Sequence, residues 1–461
     1  MNFRFIDHFL TGGNSGYKII LSTLRSLYRI GIRRKTFKLK RYPADLTEFL
    51  QKRYIDSVQL SCFFICISSL FFLSCGNKKE QAQDVSDLTG YPVHIPFEQA
   101  VGSERDLKLS EIADSVRFIP LETTDASLMN RIQKGGILKS SRYWFLYSYK
   151  DVYQFTDEGK FVRTIGSRGN GPGQYTSAVC IDIDETLGHV YVLSPGKNIN
   201  VYDMETGSYL YTRKTPSFSS WAFAMLNDSV SACFQYNLSG KEKDRILVAG
   251  AEGDTIRAFS RSDLFDTKTD YVSLVHFDDG RYMFRYKDMV CYKEYCNDTL
   301  FVVTPDSLKP RYVFDLGRYS MPVEHRPEVI GADRKAFEST SSSYIRTQAL
   351  ETDAWVFMPY CYWQLKSSAI DDMHLLVYDK HKKESFEVRD GAILNDMCGN
   401  ASIPFCPQNV VDSNILLSLL PAEKVVEMAE ENPSILKHPQ LMELTEDSNP
   451  VLMVVYCKEK V

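Results

Sequence analysis

The 461-residue sequence lacks most of the short signatures that mark catalysis or metal binding. It contains no Gly-x4-Gly-Lys-Ser/Thr loop, no Gly-x-Ser-x-Gly elbow, no His-Glu-x-x-His and no Cys-x-x-Cys. Those absences remove, in turn, a Walker-type phosphate cradle, a serine nucleophile on a strand-helix turn, a zincin helix, and a zinc ribbon or thioredoxin-like redox pair. His94, His189, His276, His325, His374, His381 and His438 are scattered, with no close pair at ligand spacing. The acidic stretches "DIDET" (182–186), "FDDG" (277–280) and "AIDDMH" (369–374) do not follow the EF-hand loop. The sequence therefore implies no cofactor, no metal and no identifiable catalytic residue. Positive charge is also scarce past residue 75: 42 Lys and Arg face 55 Asp and Glu there, against 12 and 4 in residues 1–75. So acidic a body repels DNA, RNA and anionic lipid, and nucleic acid is not an expected partner.

What is abundant is aromatic: 27 Tyr and 27 Phe, set among short β-branched runs, which favours strands over helices. Past Cys75 stand eight cysteines: Cys180, Cys233, Cys291, Cys296, Cys361, Cys398, Cys406 and Cys457. Cys180, Cys233 and Cys457 alternate with apolar residues and read as buried hydrophobes. Export would permit disulfides, and Cys398–Cys406 is the expected local bridge.

Export is what residues 52–81 suggest. Lys52 and Arg53 precede an apolar run, Val58–Ser74, followed by Cys75-Gly76 and a polar tail. That is the order of a secretory signal, and the run is short for a membrane span of about 20 residues. Phe72-Leu73-Ser74-Cys75 resembles a bacterial lipobox, although Phe72 stands where that motif usually has Leu. The resemblance implies cleavage before Cys75 and lipidation of its thiol; an uncleaved anchor is the alternative. Several acyl chains on one residue would hold the protein to a bilayer almost permanently. Residues 1–57 are basic and contain no Met after Met1, the next being Met129. Translation from a non-Met codon nearer Lys52 is expected, the alternative being an unusually long n-region. Residues 76–90 read as a flexible tether. The chain thus divides into residues 1–75 (extension and signal), 76–113 (tether and lead-in) and 114–461 (folded body).

Within that body, short β-rich runs recur in threes and fours between turn residues, for example "AVCIDID", "HVYVLSP", "NINVYDM" and "SYLYTRK" between 178 and 214. Regular strands at this spacing predict an all-β six-bladed propeller. The last group, with "NILLSLL" (414–420) and "VLMVVYCK" (451–458), lacks an outer strand. At the other end "SVRFIPLETT" (115–124) lacks partners. Pairing the two would seal the ring and remove an open edge. Segments 322–352 and 421–450 have helical character and are expected as insertions on one rim.

The cluster "GSRGNGPGQY" ends without Lys and runs into a strand, so it cradles no phosphate. Gly169, Gly171 and Gly173 are expected at positive-φ turn positions, with Pro172 stiffening the bend between two blades. The stretch from Asp151 to Asp203 that contains it resembles an NHL-type propeller repeat. Together with "FIPLETT" (118–124), the lipobox and "NPVLMVVYCK" (449–458), it resembles the six-bladed β-propeller lipoproteins of Bacteroides-type bacteria. That resemblance implies a lipid-anchored envelope location, with the outer membrane favoured because Gly76 stands where inner-membrane retention uses Asp. It implies little chemistry.

Aromatic faces with interleaved Arg suit sugar rings or extended peptides. Tyr360, Tyr362 and Trp363, with Arg281 and Arg285, are therefore the candidate ligand-binding residues. The expected function is a binding or scaffold module for a protein or glycan partner. A polysaccharide lyase or hydrolase with its site at the channel mouth is the alternative, and an accessory lipoprotein of a nutrient-uptake complex differs only in its partner. A fatty-acid probe fed to expressing cells should label the wild type and not Cys75→Ala; equal labelling of both would remove the anchor.

Overall fold

The computed structural model describes residues 90–458, apart from 130–131, 134–135, 197, 218–219, 238, 267–282, 328–333 and 364–372. Cys75 and the tether lie outside the described residues. Six small antiparallel sheets follow one another along the chain as the blades of a propeller. Blade one comprises Leu138–Lys139, Tyr143–Tyr147, Val152–Thr156 and Phe161–Thr164. Blade two comprises Cys180–Asp184, His189–Ser194, Asn198–Asp203 and Tyr209–Lys214, and blade three Ser220–Met225, Ser231–Gln235, Asp244–Ala249 and Thr255–Ser260. Blade four comprises Met283–Tyr286, Met289–Lys293, Thr299–Val303 and Leu308–Phe314.

The burial pattern follows from stacking the blades face to face. The second and third strands of blade two are buried on both faces, which is why they read as near-continuous apolar runs. The fourth strands of blades two and three, Tyr209–Lys214 and Thr255–Ser260, are largely exposed and form the outer edge.

Blade six has only three strands from the C-terminal end: Asn409–Asp412, Ile415–Leu420 and Val451–Cys457. Its outer strand is Ala113–Pro120, antiparallel to Val451–Cys457, with Leu452 opposite Ile119 and Met453 opposite Phe118. The two ends of the folded body close the ring as expected. Residues ahead of that strand are also part of the body. Val93–Ile95 adds in parallel to the outer edge of blade four, and Glu104–Arg105 to that of blade five. Single helical turns, Phe97–Ala100 and Leu109–Ile112, follow each, and Ile95, Phe97, Leu109 and Ile112 are buried. This strap covers two blade edges and then completes a third, leaving fewer open edges for another chain.

Blade five departs from the expected insertion. Arg334–Ser341 is helical, but Ile345–Thr347 and Leu350–Glu351 form a split first strand against Trp355–Tyr362. The break has a cause: Pro359 on the facing strand has no N–H, and Gln348 N–H bonds to its carbonyl instead (3.0 Å). Leu375, Val388 and neighbours in His374–Asp379 and Glu384–Val388 complete the blade. Between the second and third strands of blade six, Ala422–Glu431 is a helix that packs Ala422, Val425 and Ala429 inward.

The glycine cluster turns the chain from blade one to blade two. Gly169 and Gly173 take positive φ (155° and 69°). Gly171 does not; instead its N–H bonds to Gln174 Oε1 (2.9 Å), an oxygen that a Cβ there would crowd. The expected Cys398–Cys406 bridge is not formed, and neither cysteine is in a disulfide. Phe405 is paired to the Ile393 backbone, which draws Cys406 toward the Gly391 carbonyl, while Asn395 caps the turn that holds Cys398.

A buried ion cluster locks blades four and five and the strap together. Arg311 forks onto Glu351 (2.7 and 2.8 Å), which also accepts from Tyr312 Oη (2.8 Å) and Lys380 Nζ (2.5 Å). The Arg311 guanidinium lies 4.5 Å over the Tyr91 ring. Burial alone would raise the Glu351 carboxyl, but Lys380 and Arg311 hold it below its ordinary value.

Closing the ring gives the test of this architecture. Phe118, 1% exposed, lies on the sealing strand. Phe118→Ala should lower unfolding stability by about 3–5 kcal/mol, the range for a buried Phe truncation. Denaturant unfolding checks it; a loss below 1 kcal/mol would contradict a seal that bears on the whole ring.

Candidate functional site

Antiparallel strands fix where the connections lie. Links from second to third strands, and from fourth strands to the next blade, all leave the same end of the ring. At this end lie the helical insertion of blade six, the long link from blade four to blade five, and the ends of the strands that carry Tyr360 and Tyr362.

Tyr360 and Tyr362 are two apart on one strand and so share a face. Tyr360 stands opposite His374 in register, and their rings stack (centroids 4.8 Å, interplanar 15°). Glu387 supports both: its Oε1 accepts from Tyr360 Oη (2.8 Å) and lies 2.8 Å from His374 Nδ1. Its Oε2 accepts the Gly102 N–H of the strap (2.6 Å). Burial would raise the Glu387 carboxyl, but the bonds from His374, Gly102 and Tyr360 bring it below the usual glutamate range. The Tyr360 hydroxyl is pushed up, by burial and then by the adjacent carboxylate.

From this buried base the aromatic series climbs to the surface. Tyr362 meets the His374 ring edge-on (6.0 Å, 88°) and Tyr319 at 6.3 Å. Arg318 then covers Tyr319, with its guanidinium 4.9 Å over the ring and Nη2 donating to Tyr319 Oη (2.9 Å). Arg318 is itself 73% exposed. Tyr360 also borders a small open depression, lined with it by Tyr295, Arg346, Gln348, Cys361 and Met373.

The four described candidate residues do not form one site. Tyr360 and Tyr362 belong to the aromatic series, but Tyr360 is a buried support and Tyr362 the more accessible member. Trp363 turns inward against Met321. Arg285 lies on the first strand of blade four, away from the aromatics, where it donates to Asp182 Oδ2 (2.9 Å) and the Met225 carbonyl (2.7 Å). Asp182 also accepts the N–H groups of Ile183 and Met225, so this acid of "DIDET" ties the first strands of blades two, three and four. Arg281 lies outside the described residues. His374, Glu387, Tyr319 and Arg318 went unselected, because cross-strand register and a long link bring them to Tyr362.

Among the described residues no group of three His, Cys, Asp or Glu side chains is placed to hold a metal. No described helix is long and apolar enough to cross a membrane.

Ring, strap and loaded end together define a six-bladed β-propeller sealed by its N-terminal strand. The fold is shared with a Bacteroides fragilis protein described as exported, at 16% identity and a TM-score of 0.58, over 80% of this chain and 99% of that one. The extracellular domain of a B. thetaiotaomicron protein described as a one-component system is similar at 14% identity and a TM-score of 0.32, over 60% of this chain and 29% of that one. No curated protein matches this chain. Residues 92–456 match the model of the family described as "Domain of unknown function (DUF4934)", and the chain belongs to that family.

Glu387 supplies a pH test. Because its folded-state pKa is depressed, its contribution is fully present above the ordinary glutamate value near 4.3 and is lost as pH falls through the folded value. Glu387→Gln should therefore cost about 1–3 kcal/mol at pH 7 and less at pH 3. Denaturant titrations of both proteins at the two pH values check this; an equal difference at both would contradict it.

Proposed function

We propose that this propeller is an envelope-anchored recognition module that presents its insertion-bearing end to a protein or glycan partner. The observation that carries the reading is the series Tyr360, His374, Tyr362 and Tyr319 capped by exposed Arg318, held on a closed ring. Rings supported from beneath by Glu387 lose little side-chain freedom on contact, which favours recognition. Stacked rings beside an exposed guanidinium suit a sugar face or an extended peptide. The lipobox-like Phe72–Cys75 and the described export of the B. fragilis protein with this fold support an exported, lipid-anchored location. The outer membrane is favoured because Gly76, not Asp, follows the cysteine. The glycine-cluster stretch is read as NHL-like in the same proposal.

A second reading, a polysaccharide lyase or hydrolase, is favoured by one observation. His374 is held on Glu387 beside a tyrosine hydroxyl, a set of groups able to move protons.

The detergent-solubilised full chain, screened on a glycan array and in pull-downs from envelope extracts, separates the two. Retention of a glycan or protein that weakens at least about tenfold in Tyr362→Ala supports recognition through the aromatic series. Turnover of a polysaccharide that stops in His374→Ala would overturn it in favour of the enzyme.

A further inference from the structure

A second group of charges gathers at the same end, where blades three and four meet. Arg245 opens the third strand of blade three, and Arg261 follows its fourth strand. Arg326 comes from the long link out of blade four, and Glu294 directly follows the second strand of that blade. With Asp263 they form one cluster. Arg245 and Arg326 each bond to one oxygen of Asp263, the first at 3.0 Å. Arg326 also donates to the Cys296 carbonyl (2.8 Å), and Arg261 to that of Gln235 (2.7 Å). Glu294 accepts from Tyr292 Oη and lies 3.6 Å from both Arg245 Nε and Arg261 Nη1, too far for a hydrogen bond.

Among the described residues the cluster is out of charge balance. Three guanidiniums face two carboxylates, and none of the five side chains is more than 12% exposed. Arginine does not shed its proton in a protein, so the excess positive charge persists. Buried charge of this kind is costly unless it is paired. The Nε atoms of Arg245, Arg261 and Arg326 are all buried with no hydrogen-bond partner among the described residues. Such donors match the oxygens of an oxyanion, and the planar guanidinium fork is the side chain best suited to carboxylate, sulfate or phosphate.

We propose that the junction of blades three and four is an oxyanion site, where Arg245, Arg261 and Arg326 receive a sulfate, phosphate or carboxylate group. Arg326 directly follows His325, whose Nδ1 lies 3.0 Å from Tyr344 Oη on the link into blade five, so the site adjoins the region that holds the aromatic series. A partner that bridges the two would carry an acidic group beside a sugar or aromatic face. This extension rests on the rim-recognition reading for its use, whereas small-anion binding is measured with no partner at all. A failed partner screen would thus leave the anion site standing, and a failed anion titration would leave rim recognition standing.

The test is thermal unfolding of the full chain with sodium sulfate, phosphate or glucuronate against sodium chloride at matched ionic strength. In the low-millimolar range, where general salting effects are small, at least one of the three should raise the melting temperature in a saturable way, as a ligand of the native state does. The anion that does so names the group. Arg326→Gln should abolish the rise. Glu294→Gln, which removes the competing carboxylate, should lower the apparent Kd by about tenfold. No saturable rise in the wild type, or an equal rise in Arg326→Gln, would overturn the site. Should Arg326→Gln fail to fold, an unchanged or weaker Kd in Glu294→Gln would do the same.

Discussion

A propeller is a sheet stack bent into a circle, and its stability turns on the join. Here the join is the antiparallel pairing of Ala113–Pro120 with Val451–Cys457. Every other blade takes its main strands from consecutive chain, the strap strands on blades four and five only adding to their outer edges. Blade six does not, because its fourth strand comes from the opposite end of the body. Until that pairing forms, one face of blade six and one face of its neighbour remain wet, and the apolar runs on them have nothing to bury against. The rigidity of the aromatic series and the spacing of the inner strands both presuppose the closed circle.

Polar ties between blades supplement that seal. Asp182 gathers a backbone N–H from blade three and a guanidinium from blade four, and Glu351 gathers Arg311, Tyr312 and Lys380. Such groups add directional constraints that apolar packing alone does not supply, since a slipped blade would strand a buried charge. They help explain how six sheets with little sequence likeness to one another hold one register.

Much of the architecture was legible in the sequence, for physical reasons that also mark where reading stops. Strand runs such as "HVYVLSP" announce themselves because both faces of a middle strand are buried. The missing outer strand of the last blade could be inferred by counting unpaired edges, which is a statement about hydrogen bonds. The strap could not, since its strands are three and two residues long and carry no period. Ile345–Thr347 was concealed by the break opposite Pro359 and by the helix beside it. Tyr360 and Tyr362 were visible as a pair because a strand repeats every two residues. Their partners His374, Glu387 and Tyr319 come from cross-strand register and a long link, neither of which has a local signature. The arginines at the junction of blades three and four come from separate segments, and nothing in their neighbourhoods sets them apart.

The order in which the join is made has a temporal consequence. Ribosomes deliver residues 113–120 early and 451–457 only after the strands of all the other blades, so the closing strand waits through the making of those blades. The unfinished chain carries a bare strand at each end, the kind of surface that invites pairing with a neighbour. Pairing across so long a loop is also slow relative to the local hairpins. Maturation of the ring is therefore completed only once residues 451–457 have been made, and a product truncated before them lacks the strand that seals it.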